Sequence, residues 1–221
     1  MLVGREFFGV MCIMILKQQS EKLSDYLEET AFVDYRSNVI VERSNTLFTG
    51  LTAELEIIKV AYEFVRDQIH HSHDIGGRLI TKTASEVLTH GQGICYAKTM
   101  LLAALLRGKG IPTGFCYQSL AVEDKMECKH TIHALNAVYL SECKQWVRLD
   151  PRGNVGGKNA QFYLDDPFHE QLVYSIREEY GEVEYPIVYV RHPDCVMQPL
   201  LICIDCQDMM EYFLPDTISD S

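Results

Sequence analysis

The stretch from Cys95 to Leu106 most constrains the fold, because it is almost uniformly apolar. A helix of this composition has no face suited to water, so other elements must pack around it on all sides. Gly108, Gly110 and Pro112 follow directly and end the helix. The sequence therefore predicts a central buried helix with Cys95 at its N-terminal end.

The segments before and after this helix differ in the spacing of their apolar residues. Before it, apolar residues recur at spacings of three and four between Thr52, a plausible N-cap, and Ile69, which predicts an amphipathic helix. "TASEVL" at 83–88 predicts a shorter helical piece. After Pro112, β-branched and aromatic residues alternate with period two, which predicts strands at 113–123, 131–140, 145–150 and 182–190. Helices followed by strands indicate an α+β fold with a mainly antiparallel sheet.

A chain of 221 residues without a linker or internal repeat predicts a single domain over residues 1–221, with the core motifs at about 52–155. Residues 1–20 read as a peripheral or non-native extension, and the sequence leaves open whether residues 1–13 belong to the protein. Their apolar part, 7–16, is too short to span a bilayer and lacks the flanks of a signal peptide.

The charge and the cysteines bear on partners and location. A net charge of −11 without a basic block disfavours nucleic acid and anionic membranes as partners. The eight cysteines are scattered along a chain that needs no disulfide framework, so we expect a reducing, cytoplasmic location. The oligomeric state is not readable from the sequence.

Cys95 can be read in two ways. Free cysteine is among the most buried residue types, so it can be a small core hydrophobe. A helix N-terminus, however, supplies free N–H groups and the positive end of the dipole, which together stabilise a thiolate. Gly91 and Gly93 also let the backbone approach a substrate closely.

His133 and Asp150 favour the second reading. They lie 17 residues apart (150 − 133) on two predicted strands that fold about a turn near Glu142. This arrangement puts them at opposed or diagonal positions on the ladder. A carboxylate at one imidazole nitrogen fixes the tautomer and leaves the other nitrogen for a thiol.

Three blocks of sequence, "GQGICYAKTMLLAALLRGKGIPTG", "HALNAVYL" and "WVRLDP", resemble the core signature of the transglutaminase-like superfamily. The resemblance covers about residues 85–155. It implies a papain-like fold in which the nucleophile-bearing helix packs on the sheet. It also implies a triad with Cys95 as nucleophile, His133 as general base then acid, and Asp150 as the orienting group.

The resemblance further implies acyl transfer through a thioester, without a cofactor or metal. The partner is then a peptide or protein substrate, with an amine acceptor as an open alternative to water. Animal transglutaminases carry tryptophan after the nucleophile, whereas this chain has Tyr96, so hydrolysis is favoured. Gln92, Tyr96 and His73 are candidate oxyanion or substrate contacts. We expect the cleft to be lined by the loops at 70–84, 118–130 and 151–163.

Two other functions compete with catalysis. The same fold can serve as an inactive peptide-binding module. Alternatively, Cys128, His130, His133 and Cys143 can form a zinc site, which would remove His133 from Cys95.

Three further segments have simpler interpretations. "HHSHD" at 70–74 is a weaker metal candidate and reads as a helix C-terminus, and the acidic run 21–34 reads as a solvated helix face. "CIDC" at 203–206 reads as part of one amphipathic C-terminal helix covering 199–216.

Overall fold

The computed structural model describes residues 16–125, 128–163 and 170–219. Within these ranges the helices are α1 (Asn38–Leu47), α2 (Glu54–Gln68), α3 (Ala84–His90), α4 (Cys95–Arg107), α5 (Asp194–Ile202) and α6 (Cys206–Tyr212). The strands are β1 (Lys17–Gln18), β2 (His70–His71), β3 (Gln92–Gly93), β4 (Thr113–Ala121), β5 (His130–Leu140), β6 (Gln145–Leu149) and β7 (Val183–Tyr189). Short 3-10 turns occur at Leu23–Leu27 and Glu178–Tyr180.

Five strands form one sheet in the order β1-β7-β4-β5-β6. The β4–β5, β4–β7 and β5–β6 pairs are antiparallel, and only the short β1–β7 pair is parallel. Strands β4 and β5 pair over nine positions, from Thr113↔Val138 to Ala121↔His130. This architecture confirms the predicted α+β fold with a mainly antiparallel sheet. The small β2–β3 pair is separate and parallel.

Helix α4 is the centre of the molecule, as its composition predicts. Every residue from Cys95 to Arg107 is buried. The helix packs against α2 and α3 and against the sheet, where the Asn136 amide of β5 donates to the Thr99 carbonyl at 3.1 Å. Truncation of a core leucine such as Leu102 to alanine should cost about 2–5 kcal/mol. The helix therefore fixes its first residue relative to the strands.

Helix α2 covers one side of α4 with the buried face that its period predicts, which includes Ile58, Tyr62 and Val65. The helix begins later than the Thr52 cap predicts, because Ala53 is the N-cap residue and Glu54 the first helical residue. Glu54 and Glu56 in the first turn interact favourably with the positive end of the helix dipole.

Two local predictions were wrong. The C-terminal segment is not one helix: α5 ends at Ile202, and the Asp205 side chain caps α6 by accepting from the Gln207 and Asp208 N–H groups. The acidic run 21–34 forms only the 3-10 turn Leu23–Leu27 instead of a helix. The Asp205 cap at the C-terminus and the hydrogen bond from the Ser20 hydroxyl to Asp25 Oδ2, at 2.6 Å, both compete with a continuous helix.

Among the described residues, no helix is long and apolar enough to cross a membrane. Residues 7–15 of the apolar N-terminal stretch lie outside the described ranges. The organisation of residues 1–221 as a single domain stays a prediction.

Candidate active site

Cys95 is the first residue of α4, and Ile94 is the N-cap. The first hydrogen bond that uses this cap joins Lys98 N to Ile94 O at 2.9 Å, so the N–H of Cys95 precedes the intrahelical ladder. The cysteine is 8% exposed. Gly93 fits tightly, because a Cβ there would lie 3.0 Å from the Ala97 Cβ and 3.0 Å from the Thr81 Oγ1. A larger residue here would require Ala97 or Thr81 to shift.

His133 and Asp150 are joined by a hydrogen bond of 2.9 Å between Nε2 and Oδ2. His133 lies on β5, and Asp150 follows the last residue of β6, Leu149, which pairs with Asn136. Asp150 is thus opposite Leu135 and diagonal to His133, one of the two arrangements that the spacing predicts. Both side chains are buried, at 5% and 1% exposure.

The Asp150 carboxylate is held by two backbone donors in addition to His133. The Arg152 N–H donates to Oδ1 at 3.1 Å, and the Val173 N–H donates to Oδ2 at 3.1 Å. The Tyr62 hydroxyl of α2 donates to the Asp150 carbonyl at 3.2 Å. Asp150 is therefore fixed by three separate segments, which orients the imidazole that it binds.

Cys95 and Asp150 both interact with His133. Burial by itself lowers the pKa of His133, but the Asp150 carboxylate and the Cys95 sulfur outweigh this effect and raise the pKa to about 10. The imidazole is accordingly protonated at neutral pH. Since Nε2 donates to Asp150, Nδ1 is the ring nitrogen that remains for Cys95.

The ring of Tyr174 covers the His133 imidazole. It packs edge-on, with the ring centroids 5.1 Å apart and the planes at 83°. This segment also carries Val173, which binds Asp150. The sequence pattern gave no signal for either residue, because they belong to an irregular stretch between β6 and β7.

Arg152 forms a buried ion pair close to Cys95 and Asp150. Its guanidinium donates to both carboxylate oxygens of Asp74, at 2.7 and 2.8 Å. Burial lowers the pKa of Arg152, but Asp74, Tyr174 and Cys95 outweigh it and raise that pKa. Arg152 is the second residue after Asp150 in "LDPRG", so its proximity to the site was available from the sequence.

Lys98 lies one turn after Cys95 and is completely buried. Its ammonium group donates to the carbonyls of Ile69 and of Arg152, the latter at 2.9 Å. Burial and the neighbouring Arg152 lower the pKa of Lys98 to about 7. It is the one charged residue in the run from Cys95 to Leu106, and that oddity in the sequence could have drawn attention to it.

The turn after α2 does not end a helix as expected, because His70 and His71 form β2 and pair with Gln92 and Gly93. This pairing places His71 near Arg152, Lys98 and His133. Burial and the two cations hold the pKa of His71 well below its usual value, so this imidazole is neutral.

The three candidate oxyanion or substrate contacts occupy different places. Gln92 lies against Gly77, and its Oε1 is buried without a hydrogen-bond partner among the described residues. The Tyr96 side chain is fully buried in the core, where its hydroxyl donates to the Ile132 carbonyl at 3.0 Å. His73 is exposed and lies 3.8 Å from Asp74, at the outer end of the Arg152 ion pair.

The residues of the alternative zinc site are not brought together. Cys128 precedes β5 and Cys143 follows its other end, so an 11-residue strand separates them. His130 interacts with the Tyr180 carbonyl at 3.0 Å, and His133 is bound to Asp150. In the ranges that the structure describes, no group of three or more His, Cys, Asp or Glu side chains could hold a metal ion.

The comparisons with known proteins bear on this arrangement. The family model described as the transglutaminase-like superfamily matches residues 42–151, which include Cys95, His133 and Asp150. A crystal structure described as a putative cysteine protease from Cytophaga hutchinsonii is similar at 18% identity with a TM-score of 0.43, over 60% of this chain and 43% of that chain. This chain thus matches less than half the length of that protein. No match was found among curated proteins. We conclude that the chain, through residues 42–151, belongs to the transglutaminase-like superfamily.

Proposed function

We propose that the chain is a cysteine-dependent amide or peptide hydrolase or acyltransferase. In this proposal Cys95 is the nucleophile, His133 is the general base and then the acid, and Asp150 orients the imidazole. The observation that carries it is the buried 2.9 Å hydrogen bond between His133 and Asp150, on an imidazole that also interacts with Cys95.

The first half of the reaction forms a thioester. In the proposed step His133 takes the proton of the Cys95 thiol through Nδ1, and the sulfur attacks the carbonyl carbon as a thiolate beside the imidazolium. The carbonyl oxygen becomes an oxyanion as the C–S bond forms. The imidazolium then gives its proton to the leaving amine, the C–N bond breaks, and His133 is left neutral.

The second half returns the enzyme to its starting state. Neutral His133 takes a proton from water, the resulting hydroxide attacks the thioester, and the C–S bond breaks to release the acid and the thiolate. An amine in place of water gives transfer. We favour hydrolysis of a peptide or protein substrate, with an amine acceptor as the alternative.

The oxyanion needs hydrogen-bond donors, and we assign the backbone N–H of Cys95 as one of them. Its support is the position of this N–H at the start of α4. The position of Gln92 against Gly77 and the burial of Tyr96 speak against their side chains as further donors.

We also propose that the protein works in a reducing compartment, such as the cytoplasm. The free state of seven cysteines among the described residues supports this.

Alkylation with iodoacetamide tests the nucleophile. We expect Cys95 to be labelled at least tenfold faster than Cys143, although Cys143 is exposed and Cys95 is not, because only Cys95 has His133 beside it. Peptide mass spectrometry after short exposures at pH 6 to 8 measures both sites in one sample. His133→Gln should slow the labelling of Cys95 and leave that of Cys143 unchanged. Equal rates at the two cysteines, or no effect of His133→Gln, would contradict the proposal.

A further inference from the structure

A cavity of about 540 Å³ lies next to the candidate site, and Tyr174, whose ring packs against His133, forms part of its wall. Its walls include Leu120 in β4, Val122 directly after that strand, Thr131 near the start of β5, and Val173 and Tyr174. We call it the Tyr174 pocket. Its volume is within the range of about 300–1,000 Å³ that is typical of small-molecule pockets.

The walls of the Tyr174 pocket are attached to the triad. The Val173 N–H binds the Asp150 carboxylate at 3.1 Å, and the next residue, Tyr174, packs edge-on against His133. The Tyr174 carbonyl accepts from the Gln118 amide at 3.2 Å, and Gln118 is paired in register with His133. Because the same short segment binds the catalytic carboxylate and forms a wall, the pocket is preformed and has a fixed position relative to the imidazole.

The two charged residues that line the pocket, Arg177 and Glu182, form an ion pair with each other. Arg177 donates to Glu182 at 2.6 Å and to Asp124 at 2.5 Å. Glu182 is only 3% exposed and also accepts from the Ala121 N–H at 3.1 Å. A charged ligand group would have to compete with these bonds. The pocket therefore suits an uncharged, apolar group.

The proposed chemistry defines which part of a substrate lies on this side. His133 protonates the leaving group, so that group must be next to the imidazole when the bond breaks. We propose that the Tyr174 pocket binds an uncharged apolar portion of the leaving group, or of the acceptor that later replaces it. This inference rests on the proposed function and adds a substrate class to it.

Thioacetates with different leaving thiols test the inference without knowledge of the natural substrate. S-ethyl and S-butyl thioacetate share one acyl group, and acetylthiocholine adds a cationic leaving group. With the wild-type chain, we expect kcat/KM to rise roughly tenfold from S-ethyl to S-butyl, since each buried methylene contributes about 0.8 kcal/mol. Acetylthiocholine should not exceed S-ethyl thioacetate. Loss of thioester absorbance measures each rate.

Filling the pocket should remove this preference. Val122→Trp adds bulk at a side chain that is 56% exposed, and Thr131→Phe adds it deeper in the pocket. We expect at least one of them to bring S-butyl thioacetate to within twofold of S-ethyl while Cys95 alkylation is unchanged. Val41→Trp on α1, also at an exposed valine, is the matched control and should keep the tenfold preference.

The outcomes separate the two proposals. If Cys95→Ala turns over thioacetates as fast as the wild type, the proposed function fails. If Cys95→Ala is inactive but the wild type shows no chain-length preference, or if folded variants at both positions retain it, only the assignment of the Tyr174 pocket is wrong.

Discussion

His133 and His192 differ in the direction in which the fold shifts their pKa values. Burial and the Asp150 and Cys95 side chains act on His133 with a net rise to about 10, whereas burial lowers the pKa of His192 to about 3. The contacts of His192 are neutral: Nδ1 meets the Tyr117 hydroxyl at 2.5 Å, and Nε2 lies 3.2 Å from the Thr99 hydroxyl. The comparison teaches that a carboxylate partner, and not removal from water, decides whether an imidazole carries charge.

Removal of that carboxylate should have the largest effect. Asp150→Asn keeps a hydrogen-bonding group of the same size but loses the charge and the fixed tautomer, so we expect thioacetate turnover to fall by about 10³–10⁴-fold. The pKa of His133 should fall towards or below 6.5, like that of His192. NMR titration of the two imidazoles measures this, with His192 as the internal control. A His133 pKa that stays near 10 in Asp150→Asn would contradict the comparison.

The second-largest effect should be on the pH dependence of the free energy of unfolding, to which the two histidines contribute with opposite signs. The raised pKa of His133 means that its contribution is fully present below pH 6.5 and is lost as the pH rises through about 10. The lowered pKa of His192 means that stability is lost instead as the pH falls from 6.5 towards 3. Each slope approaches about 1.4 kcal/mol per pH unit at pH values between the folded and the unfolded pKa, where the two states differ by one bound proton.

Denaturant unfolding at several pH values measures these slopes as the difference between the wild type and His133→Gln or His192→Phe. The subtraction is necessary because Lys98 also contributes to the pH dependence of the wild type. The pKa of Lys98 is lowered to about 7, so the folded state becomes more stable as the pH rises from about 7 to 10.5. This contribution opposes that of His133. Slopes of the same sign for the two histidines would show that the comparison is wrong.

The smallest effect on the reactivity of Cys95 is expected from a change beside His192. Tyr117→Phe removes the hydroxyl that contacts His192 and should lower the free energy of unfolding by about 1–2 kcal/mol. The alkylation rate of Cys95 should stay within twofold of the wild type, since the described contacts of Tyr117 and His192 do not include Cys95, His133 or Asp150. A large change in alkylation would mean that His192 acts on the site through Tyr96, whose carbonyl lies 3.2 Å from the His192 Nε2.

Much of the scaffold was predictable because it depends on local periodicity. The apolar run of α4, the three-and-four spacing of α2 and the alternation in β4, β5 and β6 each fix an element without reference to the rest of the chain. The elements that the sequence mispredicted are the ones where periodicity is weak, namely the interrupted C-terminal helices, the 21–34 segment and the strand at His70–His71.

The sequence by itself determined the central helix with Cys95 at its start and the strand pair that brings His133 within reach of Asp150. Those positions follow from spacing along the chain. Only the tertiary structure decided which groups surround them: the Arg152–Asp74 ion pair, the buried Lys98, and the Val173–Tyr174 segment that binds the carboxylate and covers the imidazole. These contacts join residues 23 to 78 positions apart through irregular segments, where no local pattern specifies a partner, so they depend on how the layers pack.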